Sequence, residues 1–267
     1  MSTVPHSTLR RDLGLVSWQI RYEQRSYWRN RGRAFFTFAF PLMFLVIFAS
    51  IDKGSHIASR GGIPYDDFFI PGILAYAIIA TTFTNLAIST AILQEAGVLK
   101  RMQGTPLPRW AYVSARIGST CLITLAITVV VLVAGVALWG LHFPAGGLPG
   151  LIITLVLGTA AFTTLGIGMT RFIPNADSGP VLVNLLILPI TFISNIWFPT
   201  DNLPGVLKTI ASIFPLKALA SGLQWVFDPR HHGTPLDGDS VKILAIWTAI
   251  GIWLMIKFLR RPQGEVV

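Results

Sequence analysis

Glu95, Gly97, Val98, Leu99, Lys100, Arg101 and Met102, followed by Gly104-Thr105-Pro106-Leu107-Pro108, form the stretch whose residue types suit work on another molecule. A carboxylate can cap a helical turn or pair with a cation, and the apolar Val98, Leu99 and Met102 offer a contact with Lys100 and Arg101 as charge at its rim. The prolines cannot continue a helix. Residues 94–116 carry four Lys and Arg against the single acid Glu95, between two long apolar runs. In a membrane protein such a segment projects into water, and its chemistry is that of a docking loop.

Other chemistries are not spelled. No segment reads GxxxxGK followed by Ser or Thr, the loop whose amides and lysine hold ATP phosphates. Transport without that loop needs a nucleotide-binding partner or an ion gradient. Ion coupling calls for an ionisable group within the membrane, and none of the six apolar runs holds one away from its ends. His231-His232 have no third ligand beside them and read as solvated, as do Asp66-Asp67. The lone Cys121 rules out an intrachain disulfide and reads as a small buried hydrophobe.

The elements that must position the docking loop follow from hydropathy. Hydrophobic residues make up 52% of the 267 and charged residues 12%, too few charges to cover a soluble domain of this length. Residues 1–33 hold seven arginines, with Leu13, Val16 and Ile20 at helical spacing and Trp18, Tyr22, Tyr27 and Trp28 between them. That pattern predicts an amphipathic helix at the membrane surface, its alternative being a solvated basic tail. No small-residue cleavage site follows the first apolar run, so the first helix is expected to stay.

Six spans are expected over residues 34–51, 70–93, 117–139, 150–170, 179–198 and 243–258, with a tail at 259–267. Pro41 and Pro189 interrupt two of them. Between the fifth and sixth, Pro199, Pro204 and Pro215 cut the chain into apolar pieces too short to span. Residues 199–227 therefore predict a re-entrant helical hairpin packed on the fifth span near the outer surface. Of the 21 Lys and Arg, 15 fall at the termini and in the loops 94–116 and 170–178, against 6 in the other loops. The excess of positive charge puts both termini and the docking loop in the cytoplasm. The net charge of +9 is thus explained by topology, and no nucleic-acid partner is expected. For a substrate path, Thr81, Asn85, Asn184, Phe192 and Asn195 place a few polar groups among apolar and aromatic ones. Cross-helix packing by the same Asn and Thr side chains is the alternative.

The string Glu95, Gly97, Val98, Leu99, Lys100, Arg101, Thr105, Pro106 resembles the cytoplasmic loop between the second and third membrane helices of the type-two ABC permeases, membrane subunits of bacterial ATP-driven exporters. Many relatives have Thr where this chain has Val98. The run Phe198-Pro199, Leu203-Pro204, Phe214-Pro215 resembles that family's outer re-entrant segment. The resemblance implies an all-α fold: six transmembrane helices, an N-terminal amphipathic interfacial helix that touches the ATPase, and an outer re-entrant hairpin before the last span. It also implies two copies of a separate ABC ATPase docking on loop 94–116, with ATP and magnesium bound there and no cofactor in this chain. A homodimer is the default and a heterodimer with a related permease the alternative. The expected site is the bacterial inner membrane and the expected activity the outward export of a hydrophobic drug-like or lipid substrate. Export of a lipid-linked polysaccharide, or service as a non-transporting assembly factor, are the other readings.

Overall fold

The apolar runs fold as helices, as the bilayer requires of backbone that has no water to bond. The computed structural model describes residues 6–51, 54–57, 61–98, 101, 109–141, 146–201, 203–228, 230 and 236–260. Helix α1 (His6–Arg29) is followed after Asn30 by α2 (Arg31–Ile51). A small antiparallel pair, β1 (His56–Ile57) and β2 (Ile63–Pro64), then leads into α3 (Tyr65–Ile79). A π-helical turn (Ala80–Thr84) joins α3 to α4 (Asn85–Glu95). Further along come α5 (Arg109–Trp139), α6 (Leu148–Met169) with a 3-10 turn at Thr170–Phe172, and α7 (Ser178–Phe192). The chain ends with α8 (Gly205–Ile213), α9 (Pro215–Phe227) and α10 (Gly238–Arg260).

Among the described residues, five helices are long and apolar enough to cross a bilayer, and six if the bent pair α8 and α9 is one span. This is an all-α membrane protein. In the continuous rod Tyr65–Glu95, 78% of the most apolar window is buried, against 22% in α2 and 17% in α10. The rod is therefore the core, with α6 beside it, and α2, α5 and α10 leave most of their apolar residues exposed on the outside of the chain. Small residues let the core helices approach closely. A Cβ on Gly251 of α10 would collide with the Thr164 hydroxyl of α6, and one on Gly166 of α6 would lie 2.8 Å from the Phe83 carbonyl in the π-helical turn.

Three particulars differ from the sequence expectations. The apolar run at 179–198 is helical to Phe192 only, a 15-residue helix of roughly 22 Å at 1.5 Å per residue. The chain then turns, because Asn195 adopts a left-handed φ of 60° and its side chain accepts bonds from the amide of Thr200, at 2.9 Å, and from the Thr200 hydroxyl. Secondly, the short helices expected within 199–227 are present as α8 and α9, bent by 88° at Phe214-Pro215, but α9 packs mainly on α3, α6 and α10 rather than on α7. Gln224 explains this: buried in α9, it donates to the Phe68 carbonyl of α3 at 3.2 Å and to the Asn195 carbonyl at 2.7 Å. Thirdly, Cys121 is exposed on α5.

Candidate functional site

The segment expected to dock begins where α4 ends. Ala96 caps the helix and Gly97 takes the left-handed conformation, φ +68, that a glycine adopts without a Cβ penalty. Val98, half-buried, and Arg101 are again helical, and the Arg101 amide donates to the Gly97 carbonyl at 3.0 Å. Arg101 also folds back, Nη2 donating to the Ala96 carbonyl at 3.1 Å, which sets a cation against the negative end of α4. Glu95 accepts a bond from the backbone amide of Ala176. It thereby ties the end of α4 to the turn before α7, where the Asn175 side chain accepts from the Ser178 amide at 2.8 Å. Leu99, Lys100, Met102, Thr105 and Pro106 lie outside the described residues.

Helix resumes at Arg109, about two turns before the expected span at 117. The expectation that Arg116 projects into water is therefore corrected: it sits inside α5, 6% exposed. Its Nη1 donates to the Tyr112 hydroxyl at 2.8 Å and its Nη2 to the Ser89 hydroxyl of α4 at 2.5 Å. The Arg116 guanidinium lies 5.7 Å from the Tyr112 ring centroid. Around it is a polar recess of ≈ 30 Å³ walled by Glu23, Ser26, Tyr27, Arg33, Asn85 and Ser119, among others. A buried guanidinium is costly unless its donors are used; here Nη2 ties α5 to Ser89 of α4, Nη1 is held by Tyr112 within α5, and Nε has no hydrogen-bond partner.

Helix α1 closes the recess. Gln24 donates to the Ser119 carbonyl at 2.8 Å and to its hydroxyl at 3.0 Å, and a Cβ on Gly118 would meet Ile20 at 2.8 Å. Burial raises the Tyr27 phenol pKa, an effect opposed by the Thr37 hydroxyl and the Arg33 charge. Trp18 and Tyr22 stay exposed, while Trp28 donates to the Gln24 side-chain oxygen at 2.9 Å. One face of α1 thus grips α5 while aromatic rings remain free for a membrane surface.

The residues expected along a substrate path are dispersed. Thr81 is buried and its hydroxyl donates to the Ala77 carbonyl at 2.7 Å. Asn85 walls the Arg116 recess. Asn195 is buried in the turn after α7, its Nδ2 donating to Ser221 at 3.4 Å. Asn184 and Phe192 are exposed on α7. Sequence reasoning missed Arg116, Ser89, Tyr112 and Gln224. The signal for Arg116 was available: after Pro108 no proline interrupts the chain before Phe143-Pro144, and Tyr112 stands four residues before Arg116, on the same helical face.

Comparison with known proteins decides the family. The model of the family described as "ABC-2 type transporter" matches residues 15–227. The chain belongs to the ABC-2 type transporter family. It is 20% identical to the inner membrane transport permease YadH of Escherichia coli K12 over 69% of this chain and 71% of that protein. It is 24% identical to the daunorubicin resistance ABC transporter permease protein DrrB1 of Streptomyces coeruleorubidus over 77% of this chain and 71% of that one. Nodulation protein J of Rhizobium leguminosarum bv. trifolii is 28% identical over 93% and 94%. The chain is thus a multi-pass membrane component of an ABC transporter, in a family whose permeases work with an ABC ATPase subunit.

Proposed function

We propose that the chain is the permease subunit of an ATP-driven exporter and moves a hydrophobic drug-like or lipid substrate outward across the inner membrane, both termini being cytoplasmic. ATP and magnesium are held by a separate ATPase, two copies of which dock on residues 94–116 of a permease homodimer. In this reading Val98, Leu99 and Met102 make the apolar contact, Lys100 and Arg101 the charged rim, and Gly97, Thr105 and Pro106 shape the loop. Closure of the two ATPases pushes the loop and tilts α4 and α5 between inward-open and outward-open forms.

The observation that carries this reading is the Arg116 clamp. The loop's two flanking helices are fastened to each other by the bond from Arg116 to Ser89, with Tyr112 of α5 holding the guanidinium in place, and Glu95 fastens the same corner to the turn before α7. A push on the loop is then shared by three helices. The hydrophobic cargo is supported by the apolar rod and by similarity to DrrB1, named for daunorubicin resistance.

Co-purification tests the reading against an assembly factor. A transporter subunit brings down an ATPase whose hydrolysis rises when a hydrophobic substrate is added. A chain that retains no ATPase, or one whose hydrolysis ignores every hydrophobic substrate tried, is not this exporter subunit.

A further inference from the structure

The recess between α1, α4 and α5 has one acidic side chain in its wall, Glu23, and that side chain is unused. Glu23 is half-buried and stands on the inward face of α1, four residues from buried Gln19 on one side and buried Tyr27 on the other. It walls the same ≈ 30 Å³ recess as Arg116. Yet neither makes an ion pair among the described residues. The Arg116 guanidinium is left with one hydroxyl on each Nη and nothing on Nε.

The strength of the two available partners differs. A charged acceptor holds a guanidinium roughly twice as strongly as a neutral one, so Ser89 is a weaker partner than Glu23 would be. Arg33, on the same wall, is exposed and keeps water as its partner. Arg116, 6% exposed, has no such reserve. When Ser89 withdraws, a buried donor is left bare, at a cost that the next acceptor within reach removes.

That acceptor stays in place when α4 moves. The neighbours of Glu23 on α1 are fixed to α5: Gln24 donates to Ser119, and Ile20 fills the space over Gly118. Helix α1 therefore rides with α5, and carries its acid along beside Arg116, whereas Ser89 leaves with α4.

We propose that Glu23 is a positioning residue of the transport cycle. As α4 tilts away from α5, Nη2 of Arg116 releases the Ser89 hydroxyl and donates to the Glu23 carboxylate, which closes the recess. One neutral hydrogen bond is exchanged for an ion pair, and the handover gives the tilt two discrete positions. The exchange rests on the tilting of α4 and α5 proposed above.

The full chain with its partner ATPase, in lipid nanodiscs, carries spin labels at Arg25→Cys of α1 and Ile92→Cys of α4, both exposed positions. Cys121→Ser removes the native thiol, and unlabelled chain dilutes the labelled one. Paramagnetic resonance then gives the α1–α4 distance without nucleotide and with the complex trapped by ATP and vanadate. Trapping changes the balance between two distances, of which the longer belongs to the state paired with Glu23. Glu23→Gln lowers the ratio of longer to shorter about tenfold, the difference between a charged and a neutral acceptor, and Glu23→Asp, which keeps the charge, recovers most of it. Ser89→Ala raises the same ratio about fivefold, the worth of one neutral bond. The exchange is overturned, and the tilt spared, if the ratio is the same in Glu23→Gln as in the parent, if Glu23→Asp loses as much as Glu23→Gln, or if Ser89→Ala leaves it unchanged. A single distance in every nucleotide state overturns the tilt and the exchange together.

Discussion

The central rod Tyr65–Glu95 is held differently at its two ends. Near Tyr65 the bonds run to backbone: Gln224 to the Phe68 and Asn195 carbonyls, and the Tyr65 hydroxyl to the Trp197 carbonyl at 3.2 Å. Trp197 is also surrounded by Phe44, Tyr76 and Phe48, with ring centroids at 5.0, 5.3 and 6.0 Å. A Cβ on Gly72 there would stand 2.7 Å from the Ile196 carbonyl. Near Glu95 the ties are two hydrogen bonds made by charged side chains: Arg116 donates to the Ser89 hydroxyl, and the Glu95 carboxylate accepts from the Ala176 amide. Backbone and aromatic packing make discrete arrangements that resist small displacement, whereas a few side-chain bonds can be broken and remade at a net cost of about 1 kcal/mol each. In the proposed transport cycle the first end serves as a fulcrum and the second as a handle.

The comparison breaks most readily at the fulcrum. Gly72→Val places side-chain atoms against the Ile196 backbone, and stability falls by about 3 kcal/mol, the upper end of overpacking costs. Thermal unfolding in detergent measures it, and an unchanged melting temperature would show that the close approach is not needed. Next, Asn195→Leu forfeits both the left-handed turn and the bonds from Thr200, costing about 2 kcal/mol, while Asn195→Gly recovers part of the loss. Asn85→Leu, in the recess, is expected to shift substrate preference and leave assembly intact.

At the handle the fold survives and the coupling fails. Arg116→Lys cannot reproduce the planar fork that reaches both Tyr112 and Ser89. It lowers stability by only about 1 kcal/mol and reduces substrate stimulation of the partner ATPase, read in the co-purified complex. Glu95→Ala, the smallest change, removes the bond to Ala176 at a cost of about 1 kcal/mol or less and slows transport modestly. Unaltered transport and ATP hydrolysis in Glu95→Ala would make that residue a bystander.

The helical membrane architecture was legible because runs such as 34–51 and 117–139 are long and apolar, and because Pro215 marks the break that becomes the bend between α8 and α9. The early end of α7 was not, since Ile193 to Phe198 remains apolar enough to continue a span. The turn depends on one Asn finding Thr200 five residues on. Arg116 was misread for a related reason. Charge near a span end was assigned to water, and hydropathy holds no record of a serine in another helix waiting to receive it. Gln224 likewise looks like one polar residue on an amphipathic turn until α9 is packed against α3.

The account rests on force entering from the cytosol through residues 94–116, and topology at Val98 tests it most directly. A single cysteine is placed there, as Val98→Cys in a Cys121→Ser chain, and treated with a membrane-impermeant maleimide in vesicles of either orientation. The account predicts labelling in inside-out vesicles alone, and protection when the partner ATPase is bound. Labelling in right-side-out vesicles, or labelling that the bound ATPase leaves untouched, would contradict it.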